Sequence, residues 1–123
     1  MKTILLVDDS PCVRRTIRGM VESMGFTVKE AGNGLEAMRH CEEDAGIDVI
    51  LLDVEMPEMD GLSFLRMLRG RTDLAQPRVV MCTTHDSLTT IREALVSGAD
   101  EFIMKPFDQH ILGGKLSGVG ITA

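Results

Sequence analysis

The chain has 123 residues, of which 44% are hydrophobic and 26% charged, so it is long enough for one globular domain with its own core. Its formal net charge of −6 disfavours binding to nucleic acid through phosphate neutralisation, and no apolar run approaches the roughly 20 residues of a membrane span. Its three cysteines (Cys12, Cys41, Cys82) lack the spacing of a zinc site and are interpreted as thiols of a reducing compartment. Met1-Lys2 leads directly into a strand-like run without a signal-peptide pattern, so a cytoplasmic location is expected.

The chain starts with an apolar run and an amphipathic stretch. Thr3 to Val7 predicts an interior strand, which ends in Asp8-Asp9. Ser10-Pro11 then offers an N-cap and a proline for the first helical position. Apolar residues at helical spacing carry this first helix to about Met24.

The next strand and helix are more polar. Phe26 to Ala31 exposes charged residues and is predicted to form an edge strand. Asn33, with Glu36 three residues later, resembles a capping box and begins a second helix that ends near Asp44. The predicted apolar stripe of this helix comprises Leu35, Ala37, Met38 and Cys41.

The third predicted strand is another short apolar run. Asp48 to Leu52 predicts a buried strand that stops at a single carboxylate, Asp53. Asp60 can cap a third helix, which is predicted to stop at Gly70. A carboxylate at the C-terminal end of a buried parallel strand lies where open α/β sheets bind their ligands.

The second half repeats the alternation. Arg78 to Cys82 predicts the fourth strand, and Glu101 to Met104 predicts a short fifth strand that ends at Lys105-Pro106. Between them, a fourth helix closed by Gly98 is marked by Leu88, Ile91, Ala94 and Leu95. Asp108 can cap a fifth helix, marked by Ile111, Leu112, Leu116 and Val119. Two adjacent glycines inside it, Gly113 and Gly114, predict that it is the weakest helix.

The five strands and five helices predict a doubly wound α/β fold, a parallel sheet with right-handed crossovers and helices on both faces. Glycines follow each of the first four helices, at Gly25, Gly46, Gly70 and Gly98. The weakly apolar second strand belongs at an edge and the first, third and fourth strands in the middle. The strand order 2-1-3-4-5 satisfies both conditions.

Polar side chains follow four of the predicted strands, and the strand ends of a parallel sheet meet at one edge. Asp8, Asp9 and Asp53 are expected to converge, and three carboxylates so close repel each other unless a cation joins them. Mg²⁺ suits such a group. A carboxylate can also be a nucleophile toward a phosphoryl group, with Lys105 as a point charge and the Thr83 hydroxyl as a donor to a phosphoryl oxygen.

These motifs together resemble the receiver domain of two-component response regulators, in its stand-alone, CheY-like form. The resemblance covers essentially the whole chain and rests on Leu-Val-Asp-Asp-Ser at 6–10, Leu-Asp-Val-Glu-Met-Pro at 52–57, Met-Asp-Gly at 59–61, Thr83, and Lys105-Pro106-Phe107. It implies a flavodoxin-like fold for residues 1–123 as a single receiver domain, with no effector domain.

The resemblance also implies roles for individual residues. Asp53 corresponds to the phosphoacceptor, Asp8 and Asp9 to metal carboxylates, and Glu55 to the residue whose backbone carbonyl binds the metal. Thr83 and Phe102 correspond to the switch hydroxyl and the switch aromatic, and Lys105 to the phosphate-binding lysine, whose bond to proline is usually cis. Glu55 and His85 occupy positions that tune dephosphorylation.

The expected partners follow from the same resemblance. A histidine kinase or phosphotransfer protein would phosphorylate Asp53 with Mg²⁺, and a downstream protein, such as a flagellar motor switch or a kinase, would receive the signal. The protein is expected to be a monomer or weak dimer. The basic run Arg14, Arg15 and Arg18 on the first helix is interpreted as a solvated face, with partner docking as the alternative.

Two other classes of protein remain as alternatives. A phosphohydrolase could use Asp53 as a turnover nucleophile, but haloacid-dehalogenase-like enzymes usually carry an aspartate where Glu55 stands, and the length leaves no room for a cap domain. A flavin-binding module could share the sheet order. The lack of Trp and Tyr, and acids where a phosphate loop is needed, argue against that alternative.

Overall fold

The computed structural model describes residues 1–56, 59–84 and 88–122, and the alternation predicted from the sequence is confirmed in them. The strands are β1 (Thr3–Val7), β2 (Thr27–Ala31), β3 (Ile47–Asp53), β4 (Arg78–Thr83) and β5 (Glu101–Met104). The helices are α1 (Pro11–Ser23), α2 (Gly34–Glu43), α3 (Gly61–Gly70), α4 (Leu88–Val96) and α5 (Gln109–Gly118). None of these helices is long and apolar enough to cross a lipid bilayer.

The strands form one parallel sheet in the order β2-β1-β3-β4-β5, as predicted. Each face of the sheet has its own hydrophobic core. On one face, α2, α3 and α4 pack around the fully buried Phe64. On the other face, α1 and α5 contribute Ile17, Val21, Leu112 and Leu116. Helices therefore cover both faces, which leaves the C-terminal edge of the sheet open for a site.

The four predicted N-caps are confirmed. Each side chain accepts a hydrogen bond from the backbone N–H three residues later: Ser10 from Val13 (3.3 Å), Asn33 from Glu36 (2.9 Å), Asp60 from Ser63 (2.8 Å) and Asp108 from Ile111 (2.8 Å). A cap of this kind contributes about 1 kcal/mol. All four of these residues follow strands at the open edge, so capping also directs the chain around the site.

The predicted ends of the first four helices are confirmed, but only two of the four glycines at these ends adopt the left-handed conformation. Gly25 and Gly98 have φ of 96° and 111°, the left-handed conformation that ends a helix and favours glycine. The second helix ends before Gly46 as predicted, with Asp44 as its C-cap, and the Asp44 side chain accepts from the Gly46 N–H at 2.7 Å. Gly70 is the last residue of α3 rather than the residue beyond it.

Several predicted core side chains are exposed. Leu35, Leu95 and Ile111 are about half exposed, and Leu88 is 75% exposed. In α2 the buried residues are Gly34, Ala37, Met38 and Cys41, which share one face that Leu35 does not. In α4 only Ala94 is fully buried, so this helix presents apolar side chains to the surroundings.

Two glycines predict opposite effects of the same substitution. A Cβ on Gly61 would lie 2.2 Å from the Asp53 carbonyl oxygen, whereas a Cβ on Gly114 would meet no atom within 4 Å. We expect Gly61→Ala to lower the free energy of unfolding by about 1–3 kcal/mol through overpacking. Gly114→Ala is expected to raise it by about 0.5–1 kcal/mol, since glycine is unfavourable inside a helix.

Urea denaturation of both variants beside the native chain measures these changes. Gly114 serves as the control for the helix propensity of alanine, because it has the same substitution without the clash. A Gly61→Ala variant as stable as the native chain would contradict the close approach between α3 and the end of β3.

Candidate functional site

The three predicted carboxylates meet at the open edge of the sheet. β1 and β3 are neighbours, and their register pairs Val7 with Leu52, so that Asp8 and Asp53 follow side by side. Asp8, Asp9 and Asp53 each have an oxygen within 4.8 Å of one another. Asp8 is 5% exposed and Asp53 is 9% exposed, whereas Asp9 is exposed to solvent. The geometric prediction made from the strand ends is therefore confirmed.

Asp8 is held through both carboxylate oxygens and through its backbone N–H. One carboxylate oxygen accepts the Ser10 N–H at 2.9 Å, and the other accepts the Lys105 ammonium at 2.7 Å. Its own N–H donates to the carbonyl of Ala31 at 3.1 Å, which ties the end of β1 to the end of β2. The side chain consequently has little freedom to rotate out of the cluster.

Asp53 is the last residue of β3, one residue later than the predicted end of the strand. It pairs with Cys82 on β4, and the N–H of Val54 donates to the Cys82 carbonyl at 3.1 Å. The Gly61 N–H donates to the carbonyl of Val54 at 3.0 Å, which brings α3 against the strand end. The Glu55 N–H approaches a carboxylate oxygen of Asp53 at 3.4 Å.

Lys105 lies on the same side as the carboxylates. Its ammonium is 3.3 Å from an Asp53 oxygen in addition to its contact with Asp8, and its N–H donates to the carbonyl of Thr83 at 2.8 Å. The Lys105–Pro106 peptide bond is cis, as the resemblance implied. Among the described residues, the acidic cluster of three carboxylates thus has one ammonium group in contact with it.

The two buried charges shift each other. Burial raises the pKa of the Asp53 carboxyl; Lys105 opposes that effect and Asp8 adds to it, so the pKa stays above its usual value. Burial by itself lowers the pKa of the Lys105 ammonium, but the hydrogen bond to Asp8 and the charges of Asp53 and Asp8 outweigh it, so the pKa is raised. The carboxylates keep the lysine charged, whereas the lysine does not fully offset the effect of burial on the pKa of Asp53.

Three further predicted site residues occupy distinct places. Thr83 ends β4 and is 2% exposed. Glu55 is exposed and lines the cleft beside Asp53. Phe102 on β5 is half-buried against the core formed by α2, α3 and α4, and the Lys115 ammonium lies 4.8 Å from its ring centroid.

The acidic cluster opens into a cleft of about 720 Å³. Its lining includes Thr84 and Asp60, which the sequence analysis did not assign to the site. Asp60 was recognised as a helix cap and as part of Met-Asp-Gly at 59–61, and its position seven residues past the end of β3 carried no further signal. His85 and Pro57, which belong to sequence motifs of the site, lie outside the described residues.

This arrangement is suited to phosphoryl chemistry on a carboxylate. The nearly buried Asp53 has a carboxylate of the kind that can act as a nucleophile, the neighbouring carboxylates can hold a hard cation, and the Lys105 ammonium lies beside them. A doubly wound sheet with such a site at its switch point, between β1 and β3, defines a phosphoacceptor module.

Comparison with known proteins identifies the family. The family model "Response regulator receiver domain" matches residues 4–116, and the chain belongs to this family. It is a CheY-type receiver domain of two-component systems. Domains of this type are phosphoacceptor signalling modules that interact with histidine kinases and downstream targets, and neither the phosphohydrolase nor the flavin-binding alternative is favoured.

Three relatives match this chain in sequence or structure along almost their whole length. The chain is 33% identical over 114 residues to chemotaxis protein CheY1 of Helicobacter pylori, with 92% of each chain covered. It is 38% identical over 108 residues to chemotaxis protein CheY of Listeria monocytogenes, covering 87% of this chain and 88% of the relative. The structure of CheY4 of Vibrio cholerae superposes with a TM-score of 0.86 at 30% identity, covering 98% and 97% of the two chains.

Proposed function

We propose that Asp53 accepts a phosphoryl group from a histidine kinase or phosphotransfer protein, with Mg²⁺ as the required cation. The observation that carries the proposal is the meeting of Asp8, Asp9 and Asp53 within 4.8 Å, beside Lys105 and at the mouth of an open cleft. These residues come from the ends of three strands and meet at one place. If they served only as helix caps, they would have no need to lie together.

The residues fit a divalent cation. Three carboxylates face one ammonium, and burial leaves the pKa of Asp53 raised, so that an additional cation would stabilise its charged form. Asp8, Asp9 and Asp53 would hold the ion, together with the backbone carbonyl of Glu55, and water would complete its shell. When bound, Mg²⁺ neutralises charge on the phosphoryl oxygens and draws the donor to the acceptor.

The chain's own residues account for the rest of the transfer. A carboxylate oxygen of Asp53 attacks the phosphorus of a phosphohistidine, the new O–P bond forms as the P–N bond breaks, and the imidazole leaves with the electron pair. Lys105 offsets negative charge on the side of Asp53 that it already contacts at 3.3 Å. The Thr83 hydroxyl donates to an oxygen of the transferred group.

Added charge on Asp53 is then proposed to bias two existing conformations of the face formed by α4, β5 and α5. Thr83 and Phe102 connect the site to that face, because Thr83 ends β4 and Phe102 lies on the neighbouring β5. The half-exposed Leu95 and the exposed Val96 on α4 give the face apolar surface for another protein.

The proposed role is a CheY-like, chemotaxis-type regulator in the cytoplasm, acting as a monomer or weak dimer. Its output is binding to a downstream protein, a motor switch or a kinase, and involves neither nucleic acid nor a membrane. The chemotaxis names of the relatives at 33% and 38% identity support this role.

Acetyl phosphate and Mg²⁺ provide a direct test, since a small phosphodonor replaces the kinase. Intact mass spectrometry is expected to show one phosphoryl adduct, which peptide mapping places on Asp53 and which a chelator prevents. No adduct at any Mg²⁺ concentration would refute the proposal. Steady turnover of an aryl phosphate, without a lasting adduct, would favour the phosphohydrolase instead. A phosphotransfer panel against histidine kinases, followed by a pull-down with the phosphorylated chain, then identifies the partners.

A further inference from the structure

Arg14 on α1 contacts the acidic site from behind. One of its terminal nitrogens donates to the backbone carbonyl of Asp8 at 2.5 Å, and its Nε donates to Glu30 on β2 at 3.1 Å. Its side chain is only 19% exposed. The interpretation of the basic run as a solvated face is therefore wrong for Arg14, which points into the protein rather than toward solvent.

Glu30 fixes the direction in which Arg14 points. Its second carboxylate oxygen accepts from Arg18 at 2.5 Å, and its backbone carbonyl lies 3.0 Å from Nε2 of His40 on α2. Arginine presents its donors as a rigid planar fork, so a guanidinium held by Glu30 at one edge aims its other edge at a fixed point. That point is the carbonyl of Asp8.

We propose that Arg14 is a positioning residue of the cation site: its guanidinium bridges Glu30 and the Asp8 carbonyl, and thereby fixes the direction in which the carboxylates of Asp8 and Asp9 enter the cleft. The inference rests on the proposed function, because it assigns Arg14 a role toward the Mg²⁺ that Asp8, Asp9 and Asp53 hold. Residues that orient metal ligands typically contribute about 10- to 100-fold to metal affinity.

If Arg14 acts only through its charge, its removal should change Mg²⁺ affinity in one direction. If it acts by positioning Asp8, the change should be in the other direction, so the inference is testable. A positive charge near a cation site repels the cation, so removing the charge of Arg14 would tighten Mg²⁺ binding if charge alone mattered. A positioning role predicts weaker binding instead. It also predicts weaker binding for lysine at this position, since a compact ammonium keeps the charge but lacks the planar fork that reaches Glu30 with one nitrogen and the Asp8 carbonyl with another.

The experiment compares Arg14→Gln, Arg14→Lys and Arg18→Gln with the native chain. Arg18 is the matched control, because it binds the same Glu30 carboxylate without contacting Asp8. Mg²⁺ dissociation constants are measured by isothermal titration calorimetry at constant ionic strength, and thermal unfolding checks that each variant folds. Both Arg14 variants are expected to bind Mg²⁺ about tenfold more weakly, and Arg18→Gln is expected to bind it as the native chain does.

A second measurement separates positioning from loss of the site. The rate of phosphorylation by acetyl phosphate should fall in the Arg14 variants at low Mg²⁺ and recover at saturating Mg²⁺, because the nucleophile itself is intact. Arg14→Lys, which keeps the charge and the aliphatic stem, decides the question should Arg14→Gln not fold.

Native-like or tighter Mg²⁺ binding by Arg14→Lys would overturn the inference. An equal loss in Arg18→Gln would overturn it too, because the effect would then belong to the Glu30 contacts in general. A native chain that bound no Mg²⁺ would overturn the proposed cation site and this inference with it. If the native chain binds Mg²⁺ and both Arg14 variants bind it with the same affinity, this inference alone is overturned.

Discussion

Asp53→Asn is expected to abolish the phosphoryl adduct formed with acetyl phosphate and Mg²⁺, as measured by intact mass. An amide oxygen carries no charge and is a poor nucleophile, and no other described carboxylate occupies the same place at the end of β3. Asp60→Asn is the matched control. Asp60 also lines the cleft, and asparagine keeps the N-cap of α3, so this variant should be phosphorylated like the native chain.

The two variants together locate the acceptor. An adduct of native yield on Asp53→Asn would show that another residue is phosphorylated. Loss of the adduct in Asp60→Asn would show that the cleft as a whole, rather than one carboxylate, governs the reaction.

Lys105→Met is expected to change cation binding and phosphoryl transfer in opposite directions. A charge about 4 Å from another at the effective dielectric constant near a protein surface interacts by about 4 kcal/mol, so removing the ammonium should tighten Mg²⁺ binding by at least about tenfold. The same change removes a fixed positive charge from the transition state, and the loss of one such group commonly slows a reaction by about 10²–10³-fold.

Calorimetry with Mg²⁺ and the rate of phosphorylation by acetyl phosphate measure the two effects. Lys29→Met is the control. Lys29 is paired with Asp44 at the edge of the sheet, so this substitution removes the same charge at a place away from the site. Weaker Mg²⁺ binding in Lys105→Met would contradict the view that the lysine competes with the cation. An unchanged rate would exclude Lys105 from the transfer.

Periodicity and strand-end chemistry were enough to predict the sheet order and the acidic cluster. Buried strands have near-continuous apolar runs, and whatever follows them must lie at one edge, so Asp8, Asp9 and Asp53 could be placed together from the sequence alone. The confirmed N-caps follow from equally local chemistry, a side-chain acceptor three residues before an N–H.

Features that depend on packing between elements were not predictable in this way. Leucine is a typical core side chain, yet Leu88 is exposed, because α4 contributes little more than Ala94 to the core. Helix α3 does stop at Gly70 as predicted, but the sequence did not show that this glycine is the last helical residue and lacks the left-handed conformation of Gly25 and Gly98. Arg14 belongs to a basic run, but its side chain is held by Glu30, which is sixteen residues away on a different element. The sequence of the run therefore does not show where this side chain lies.

The position of Asp53 within the sheet determines what can respond to its modification. β3 is hydrogen-bonded to β1 on one side and β4 on the other, and Gly61 packs against the Asp53 carbonyl from α3. The main chain at Asp53 is therefore held from three directions. If Asp53 is phosphorylated as proposed, the surrounding side chains and loops, rather than the strand itself, would have to move in response to the new charge.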